Sequence, residues 1–301
     1  MLQKHIAMHA QKSGVYTRQR RSYSRRRPAK LVRAAIIHTI LILGAITMIA
    51  PFAWMVISSL KRPDQAFAIP PSFIPHPVIW QNYPNALQAL PFGQAYFNSF
   101  YITLIVVVSQ LFTCSLAGYA FARLRFPLRS PLFLLILATI MVPQQITIIP
   151  LFLIMRQLGW VNTHLSIIVP FALFNAFGVF LMRQAVMGIP KELEEAAIVD
   201  GASPWTIYTH VILPLLGAPL SALGILSFLA NWNNFFVPLI MLNDQNLFTV
   251  PMMLNQFVGQ FSTSWTLLMA ASAVAVIPVL IVYIIGQKYI IQGFATTGLK
   301  G

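Results

Sequence analysis

The sequence predicts an all-α integral membrane protein with six transmembrane helices, and three observations support this prediction. Hydrophobic residues make up 57% of the 301 residues, charged residues only 9%, and the mean hydropathy is +0.73. So few charges cannot cover the surface of a soluble globule of this length. Six stretches are long enough to cross a bilayer as helices, which takes about 20 mostly apolar residues. In addition, the segments that join these stretches carry most of their basic residues on one side of the membrane.

The six predicted spans follow one another along the chain, approximately at 34–60, 97–122, 131–155, 163–183, 213–242 and 266–287. Helices are expected because an open sheet would leave backbone groups unpaired in lipid. The runs are also continuously apolar and lack the alternation of a transmembrane barrel. Pro143, inside the third stretch, is expected to loosen that helix and free backbone carbonyls.

The distribution of Lys and Arg predicts the orientation, because basic residues beside span ends remain on the cytoplasmic side. Ten of the 20 basic residues precede the first span, and seven more lie in segments on the same side of the membrane. The opposite side holds only Lys61, Arg62 and Arg156. We therefore expect both termini to be cytoplasmic.

The N-terminal tail, residues 1–30, contains the basic run RQRRSYSRRRPAK. We interpret the run as a topogenic or lipid-contacting segment, because each basic residue beside anionic lipid contributes about 1 kcal/mol. A nucleic-acid-binding arm is the alternative, but no fold accompanies the run and a span follows it directly. That span is too long for the apolar part of a signal peptide, so we expect the tail to stay attached as an anchor.

Most catalytic and cofactor chemistry is excluded by the residues the sequence lacks. No G-x-x-x-x-G-K-[ST] motif occurs among the 15 glycines, so the chain cannot hydrolyse a nucleotide alone. The single cysteine, Cys114, allows no disulfide within the chain. The histidines are scattered, and the close pair His5 and His9 has no further ligands for a metal. We expect no catalytic residue, no metal and no cofactor on this chain.

Ion-driven transport is also disfavoured, because ion-coupled carriers bury acids or bases within their spans. The apolar cores of these spans contain none apart from His38, near the inner end of the first. A stand-alone secondary carrier is therefore a weaker hypothesis, and energy for any transport must come from another protein.

The stretch KELEEAAIVDGASPWTIYTHVILP, residues 191–214, concentrates acidic residues in an apolar chain. It holds four of the six, namely Glu192, Glu194, Glu195 and Asp200. A helix is expected from Pro190 to about Asp200, with Gly201 as a left-handed stop and Ser203 and Pro204 opening a second helix. One interpretation is a solvated amphipathic loop, with the acids in water and apolar residues packed on the span ends. Those packed residues would be Leu193, Ala196, Ala197 and Val199.

The spacing within this stretch favours a more specific interpretation. Glu195-Ala196-Ala197 is followed by three residues, then Gly201, then nine residues, then Val211-Ile212-Leu213-Pro214. This pattern resembles the EAA signature of ATP-binding cassette importer permeases, E-A-A-x3-G-x9-I-x-L-P, with Val211 in place of the usual Ile.

The resemblance extends over nearly the whole chain after the tail. The segments SSLKRPDQAFAIPPSFIP, MVPQQITIIPLFLIMRQLGWVNTHLSIIVP, NWNNFFVPLI and GQKYIIQGFATTGLKG are similar to carbohydrate-importer permeases, in particular to the G-type subunit of maltose systems. The family implies a type I importer fold in the bacterial inner membrane. Its domains here would be the tail (1–30), the first span with an external Pro-rich loop (31–93), a permease core (94–287) with a coupling loop at 188–212, and a cytoplasmic tail (288–301).

The resemblance also implies partners for this chain. They are a second six-span permease, an extracytoplasmic solute-binding protein, and two ATPase subunits that carry ATP and Mg. In the family the EAA helix inserts into a cleft on the ATPase. The docking residues implied here are Glu195, Ala196, Ala197, Asp200, Gly201, Leu213 and Pro214.

Polar residues within the spans are candidates for contact with solute. They are Gln144 and Gln145 after Pro143, and the cluster Asn231, Trp232, Asn233 and Asn234 in the fifth span. Amides hydrogen-bond hydroxyl groups and aromatic rings stack on apolar sugar faces, so a sugar is the expected solute. The alternative is that these residues only join helices, which contributes about 0.6 to 2 kcal/mol per pair in membranes.

Two further alternatives concern the external loop and the solute. The loop at 61–91 is Pro-rich, and its segment IPPSFIPHP is expected to be extended and semi-rigid. It is either a surface for the solute-binding protein or a plain structured loop. An importer of another solute, such as a glycerol-phosphate or an amino acid, is the alternative to a sugar importer.

Overall fold

The computed structural model describes residues 27–66, 68–70, 72–173, 175–260 and 264–298, and these residues form helices and connecting loops without a strand. Residues 1–26 of the basic tail, Pro71 of the external loop and residues 299–301 lie outside the described residues. The chain divides into two compact units, Met1–Ala53 and Trp54–Gly301.

The first long helix, α1, begins at Arg27 and ends at Ser59. Its 29 residues from Leu31 to Ser59 are long and apolar enough to cross a bilayer. Side chains from 31 to 54 are exposed and mostly apolar, which suits contact with lipid tails.

The second unit contains eleven further α-helices of six or more residues among its described residues, which we number in chain order. They are α2 (Asn82–Ala89), α3 (Phe92–Arg123), α4 (Arg129–Ile140), α5 (Gln144–Gln157), α6 (Leu165–Leu173), α7 (Ala176–Gly188), α8 (Glu192–Val199), α9 (Gly217–Trp232), α10 (Phe236–Met241), α11 (Val250–Gln260) and α12 (Trp265–Gly298). A connecting segment between α8 and α9 contains short helical turns at Pro204–Thr206 and Leu213–Leu215, with a π-helical turn, Ile207–Ile212, between them.

Four spans are long and apolar enough to cross a membrane within the described residues, and up to six are possible if each bent pair of helices counts as one. The four are α1, α3, Leu165–Gly188 and Trp265–Tyr289. One bent pair is α4 with α5, which meet at 103°, and the other is Pro204–Leu215 with α9, which meet at 77°. The predicted third and fifth spans are therefore broken rather than continuous.

The break in the third span lies at Pro143, where loosening was expected. Pro143 has an extended backbone and directly precedes α5. The fifth span was predicted as one helix over 213–242, and this prediction was wrong. Its main helix ends at Trp232, and Asn234 Oδ1 accepts the Val237 N–H at 3.4 Å, beside the start of α10. An Asn side chain offers the backbone an alternative to continued helix, which a hydropathy average does not register.

Helix α3 organises the core, because buried residues along its length belong to three successive clusters. Near its start, Phe92 packs with Trp232 and Phe257. In the middle, Cys114 lies with Met182. At its end, the third cluster contains Tyr119, Val186, Tyr208 and Ile212. The main partners of α3 are α6, α7 and α9.

The external loop is partly structured by hydrogen bonds to the end of α1. Asn82 Nδ2 donates to the carbonyls of Ser59 and Lys61, both at 2.8 Å, and the Tyr83 hydroxyl lies 2.8 Å from Ser59 Oγ. The Lys61 ammonium is buried 4.1 Å from the centroid of the Trp54 ring, and burial lowers its pKa below the usual range. The loop thus has a fixed base.

Close contact between α3 and α7 depends on Gly118. A Cβ at Gly118 would lie 2.5 Å from Met182 Cβ and 2.8 Å from the Arg183 backbone nitrogen, both parts of the core that cannot move aside easily. We expect Gly118→Ala to lower the free energy of unfolding by about 1 to 3 kcal/mol, as overpacking does. Thermal unfolding of the detergent-solubilised protein measures this loss.

The control for this prediction is Gly93→Ala in the same helix, where nothing lies within 4 Å of an added Cβ. It should unfold at or above the wild-type temperature. Equal unfolding temperatures for the two variants would show that close approach at Gly118 does not matter.

Candidate functional site

A cavity of about 750 Å³ lies among α3, α5, α6, α7 and α9. It is lined by Gln110, Gln144, Phe171, Asn175, Phe177, Leu223, Leu226, Ser227, Ala230, Asn231 and Asn234. Six of these residues carry an amide or a hydroxyl, two carry a phenyl ring, and none is charged. A cavity of this size is within the range of small-molecule sites.

Gln110 connects the helices around this cavity. Its Nε2 donates to the Phe171 carbonyl at 2.7 Å, near the end of α6. Its Oε1 accepts from Asn175 Nδ2 at 2.9 Å and from Ser227 Oγ at 2.6 Å. Asn175 in turn caps α7 by accepting the Gly178 N–H at 2.8 Å. One buried amide therefore joins α3, the α6–α7 junction and α9.

The predicted path residues separate into three groups. Gln144, Asn231 and Asn234 line the cavity. Trp232 instead lies in the core, where its indole N–H donates to the Ala275 carbonyl at 3.3 Å and its ring stacks on Phe228. Gln145 and Asn233 are exposed outside the cavity lining.

Two of the lining asparagines retain unused hydrogen-bonding groups within the described part of the chain. Asn231 Nδ2 donates to the Ser227 carbonyl at 2.8 Å, which leaves its Oδ1 available. Asn234 uses its Oδ1 at the start of α10, which leaves its Nδ2 available. Asn231 Oδ1 is an acceptor and Asn234 Nδ2 is a donor, so the two side chains keep both kinds of hydrogen-bonding atom available.

Sequence reasoning missed Gln110, Asn175 and Ser227. The available signal was a polar residue inside an otherwise apolar run, which applies to all three. That signal cannot distinguish a residue that joins helices from one that faces a cavity.

A second candidate site is the acidic hairpin between α7 and α9. The expected helix, 190–200, is observed as α8, Glu192–Val199. Gly201 has φ +81°, the left-handed conformation predicted for it. Ser203 Oγ accepts the Thr206 N–H at 3.2 Å, and Pro204 opens the next turn, so the predicted cap is also confirmed.

The faces of α8 differ from the amphipathic-loop interpretation. Leu193, Ala196 and Val199 are exposed, and Val199 is 86% exposed, whereas only Ala197 packs against the third cluster, at the end of α3. Glu194 is the buried acid. The apolar residues were expected to face the spans because all four acids were expected to be exposed to water. One acid, Glu194, is instead buried with a partner.

That partner is Arg123, the last residue of α3. Its Nε donates to Glu194 Oε1, and the side chains are only 8% and 12% exposed. Arg123 Nη2 also donates to the carbonyls of Val186, at 2.9 Å, and Ile189, at 2.6 Å. The guanidinium thus joins the ends of α3 and α7 to the first turn of α8.

The remaining motif residues lie on and after α8. Glu195, Ala196, Asp200 and Gly201 are exposed. Leu213 packs against the third cluster, while Pro214 is exposed. Pro214 has no N–H for the His210 carbonyl, which fits the wider π-helical turn before it. Tyr208, in that turn, lies 2.8 Å from Ser115 Oγ on α3.

A basic cavity of about 610 Å³ lies beside α8. It is lined by Ala122, Arg123, Arg125, Arg129, Met187, Lys191, Glu194, Glu195 and Ile198. Arg129 is committed to the end of α3, where it donates to the carbonyls of Phe121, at 2.8 Å, and Ala122, at 3.0 Å. The described residues include no group of three His, Cys, Asp or Glu side chains that could hold a metal.

Comparison with known proteins gives consistent results. The sequence pattern of the binding-protein-dependent transport system inner membrane component family matches residues 114–296. The lactose transport system permease protein LacG of Rhizobium radiobacter is 32% identical over 256 residues, which are 85% of this chain and 93% of that protein.

Two other relatives differ in the solute they are named for. The arabinooligosaccharides transport system permease protein AraQ of Halalkalibacterium halodurans is 38% identical over 204 residues, 68% of this chain and 73% of that protein. The sn-glycerol-3-phosphate transport system permease protein UgpE of Yersinia enterocolitica is 30% identical over 264 residues, 85% of this chain and 94% of that protein.

The fold is similar to that of a solved transporter. One chain of a bacterial ABC transporter involved in the import of the acidic polysaccharide alginate superposes with a TM-score of 0.76 and 27% identity, covering 89% of this chain and 98% of that chain.

The Gln110 contacts generate a prediction about stability. In Gln110→Met the volume is retained, but the Phe171 carbonyl, Asn175 Nδ2 and Ser227 Oγ lose a partner. We expect the free energy of unfolding to fall by about 1 to 2 kcal/mol, the upper range for such bonds in membranes. Unfolding in mixed micelles of increasing SDS content measures this change. The matched control is Gln145→Met on the exposed surface of α5, and a loss as large in the control would remove the special role of Gln110.

Proposed function

The chain belongs to the family of binding-protein-dependent transport system inner membrane components, and we propose that it forms half of the transmembrane path for a neutral sugar. As a permease of an ABC importer it is a membrane subunit without catalytic activity of its own. ATP and Mg would be bound by two partner ATPase subunits, and a second six-span permease would supply the other half of the path.

The observation that carries the sugar assignment is the amide-lined cavity. Its polar groups are amides and a hydroxyl, and Phe171 and Phe177 add two rings. Amides exchange hydrogen bonds with sugar hydroxyls, and rings contact the apolar faces of sugars. The lining contains no Arg or Lys, the residues that commonly bind a phosphate or a carboxylate. The cavity therefore favours a neutral carbohydrate over a glycerol-phosphate or an acidic polysaccharide.

Six spans with both termini in the cytoplasm are part of this proposal. The two bent pairs, in the positions of the third and fifth spans, raise the number of spans from four to six if each pair crosses the membrane once. Basic residues support the orientation, because Arg123, Arg125, Arg129 and Lys191 lie together at the α8 end, which would be cytoplasmic.

Helix α8 is proposed as the element that docks into the ATPase. The assignment is supported by an exposed apolar surface that lies beside exposed acids, in a segment outside the predicted spans. Ile198, Val199 and Trp205 are 60%, 86% and 56% exposed, and Glu195 and Asp200 are exposed near them. Exposed apolar surface of this kind is typical of a protein-binding site.

The external loop is proposed as a surface for the solute-binding protein. Five large apolar side chains of its described part are exposed, and the hydrogen bonds of Asn82 hold its base. These side chains are Ile69, Phe73, Ile74, Val78 and Trp80. A rigid base with exposed aromatic residues suits recognition of a folded partner.

The cavity assignment predicts which asparagines affect transport. Asn231→Ala and Asn234→Ala each remove a polar group from the cavity, so we expect several-fold slower transport or altered solute preference. Assembly and basal ATP hydrolysis should stay near wild type. Uptake into proteoliposomes containing the complete transporter measures the effect.

The control is Asn233→Ala, which removes an exposed amide of the same type just outside the cavity lining. It should transport at the wild-type rate. If Asn231→Ala and Asn234→Ala instead prevent assembly of the complex, the two residues join helices and the cavity assignment fails.

The docking assignment predicts the effect of charge reversal on α8. Glu195→Lys would place a cation where the ATPase is expected to receive an anion, and like-charge contact at an interface costs several kcal/mol. Gly201→Asp would force a residue with a Cβ into φ +81° and shift the hairpin. We expect co-purification of the ATPase and solute-stimulated hydrolysis to fall about tenfold or more in both variants.

The control is Asp64→Lys, a reversal of an exposed charge on the external loop. It should leave ATPase co-purification unchanged. Wild-type association and stimulation for both Glu195→Lys and Gly201→Asp would falsify the assignment of α8 as the docking helix.

A further inference from the structure

We propose that Arg123 is a positioning residue that fixes the rotation of α8, so that Glu195 faces outward and movement of α8 reaches α3. This inference rests on the proposed function, because it concerns the element assigned to ATPase docking. It adds a residue outside the EAA signature, 71 residues before its partner Glu194 in the sequence.

The first argument is the number of elements that one guanidinium joins. Arg123 lies at the end of α3, donates to two carbonyls at and just after the end of α7, and pairs with Glu194 in the first turn of α8. The planar fork of Arg can serve these acceptors at once, and the point charge of Lys cannot. The contact is also buried, so water and salt screen it little.

The second argument is the identity of the acid that is used. Glu194 and Glu195 are adjacent, so they point about 100° apart around the helix. Glu194 forms the ion pair with Arg123. Ala197, three residues later on the same face, packs against the third cluster at the end of α3. Glu195 and Val199 are thereby left exposed. A rotation of α8 by one residue would bring Glu195 to Arg123 in place of Glu194. The exposed face with Glu195 and Val199 would then turn toward the spans.

The third argument is that α8 has few other constraints. It is eight residues long, and Glu194 is its only buried residue. A helix this short is marginal without tertiary contacts. The ion pair and the packing of Ala197 therefore supply most of what sets its orientation.

Two conservative variants test the proposal in the complete transporter reconstituted with its solute-binding protein. Glu194→Gln keeps the shape and removes the charge, and Arg123→Lys keeps the charge and removes the fork. We expect both to insert and to retain part of the bound ATPase, because Glu195 is unchanged but α8 holds it less firmly. Sugar transported per ATP hydrolysed should fall about fivefold or more, since α8 moves without carrying α3.

A second readout detects the positioning role directly. Amide hydrogen exchange of residues 192–200 should become at least about fivefold faster in both variants, because α8 is held less firmly. The matched controls are Glu192→Gln and Arg125→Lys. Glu192 is an exposed acid of the same helix as Glu194, and Arg125 is an exposed arginine of the cavity that Arg123 lines. Both controls should keep wild-type exchange and wild-type coupling.

If either single variant fails to insert, the double variant Arg123→Met with Glu194→Met removes the unpaired buried charge and should restore insertion. Coupling should remain low in that double variant. Wild-type exchange in α8 would overturn the proposal, as would wild-type transport per ATP. Loss of the ATPase with unchanged exchange would also overturn it, because Glu194 would then be a docking contact.

These outcomes are separable from failure of the proposed function. If Glu195→Lys retains the ATPase, α8 is not the docking helix, yet exchange in the Arg123 variants still reports whether Arg123 fixes α8. If Glu195→Lys loses the ATPase and exchange is unchanged in the Arg123 variants, docking stands and the positioning role of Arg123 falls.

Discussion

Interruptions of the spans create a requirement that much of this structure meets: a backbone group freed inside a bilayer must find a partner within the protein. The helices are interrupted after Ile140, at Asn175 and after Trp232. Side-chain amides satisfy backbone groups at the second and third of these breaks. Asn175 caps α7, Asn234 accepts a backbone N–H near the start of α10, and Gln110 reaches across from α3 to the Phe171 carbonyl. Three polar residues of the spans therefore satisfy backbone groups where helices are broken.

The same requirement explains how a solute path can arise in an apolar protein. Amides that gather at breaks leave some hydrogen-bonding groups unused, and these groups face the space that the breaks open. Both polar atoms of the Gln110 side chain have protein partners, so it holds the helices together, whereas Asn231 Oδ1 and Asn234 Nδ2 have no recorded partner among the described residues. Helix joining and the proposed solute contact would thus be different uses of one set of residues. Hydrogen-bond capacity distinguishes them, and residue type does not.

The sequence predicted the features that depend on local chemistry. Apolar length indicated the candidate spans, Pro143 indicated the break in the third, and a glycine after the predicted helix indicated the left-handed stop at Gly201. The break after Trp232 was missed, because a hydropathy window averages Asn231, Asn233 and Asn234 with their apolar neighbours. Burial of Glu194 could not be predicted either. Three acids in one helical turn look equivalent in sequence, and only Arg123, distant in the chain, selects one of them.

Helix α3 links the two sites physically. It carries Gln110 at the cavity and Arg123 at its end, 13 residues apart, which corresponds to about 20 Å of helix. Unlike α1 and α12, which contain Pro51 and Pro278, α3 has no proline, so its hydrogen-bond ladder has no such interruption. Gly118, between the two sites, brings α7 into close contact over the same stretch.

A rotation imposed at Arg123 would therefore be transmitted to Gln110 as a rigid-body movement. Because Gln110 holds the α6–α7 junction and α9, such a movement would reach the walls of the cavity together.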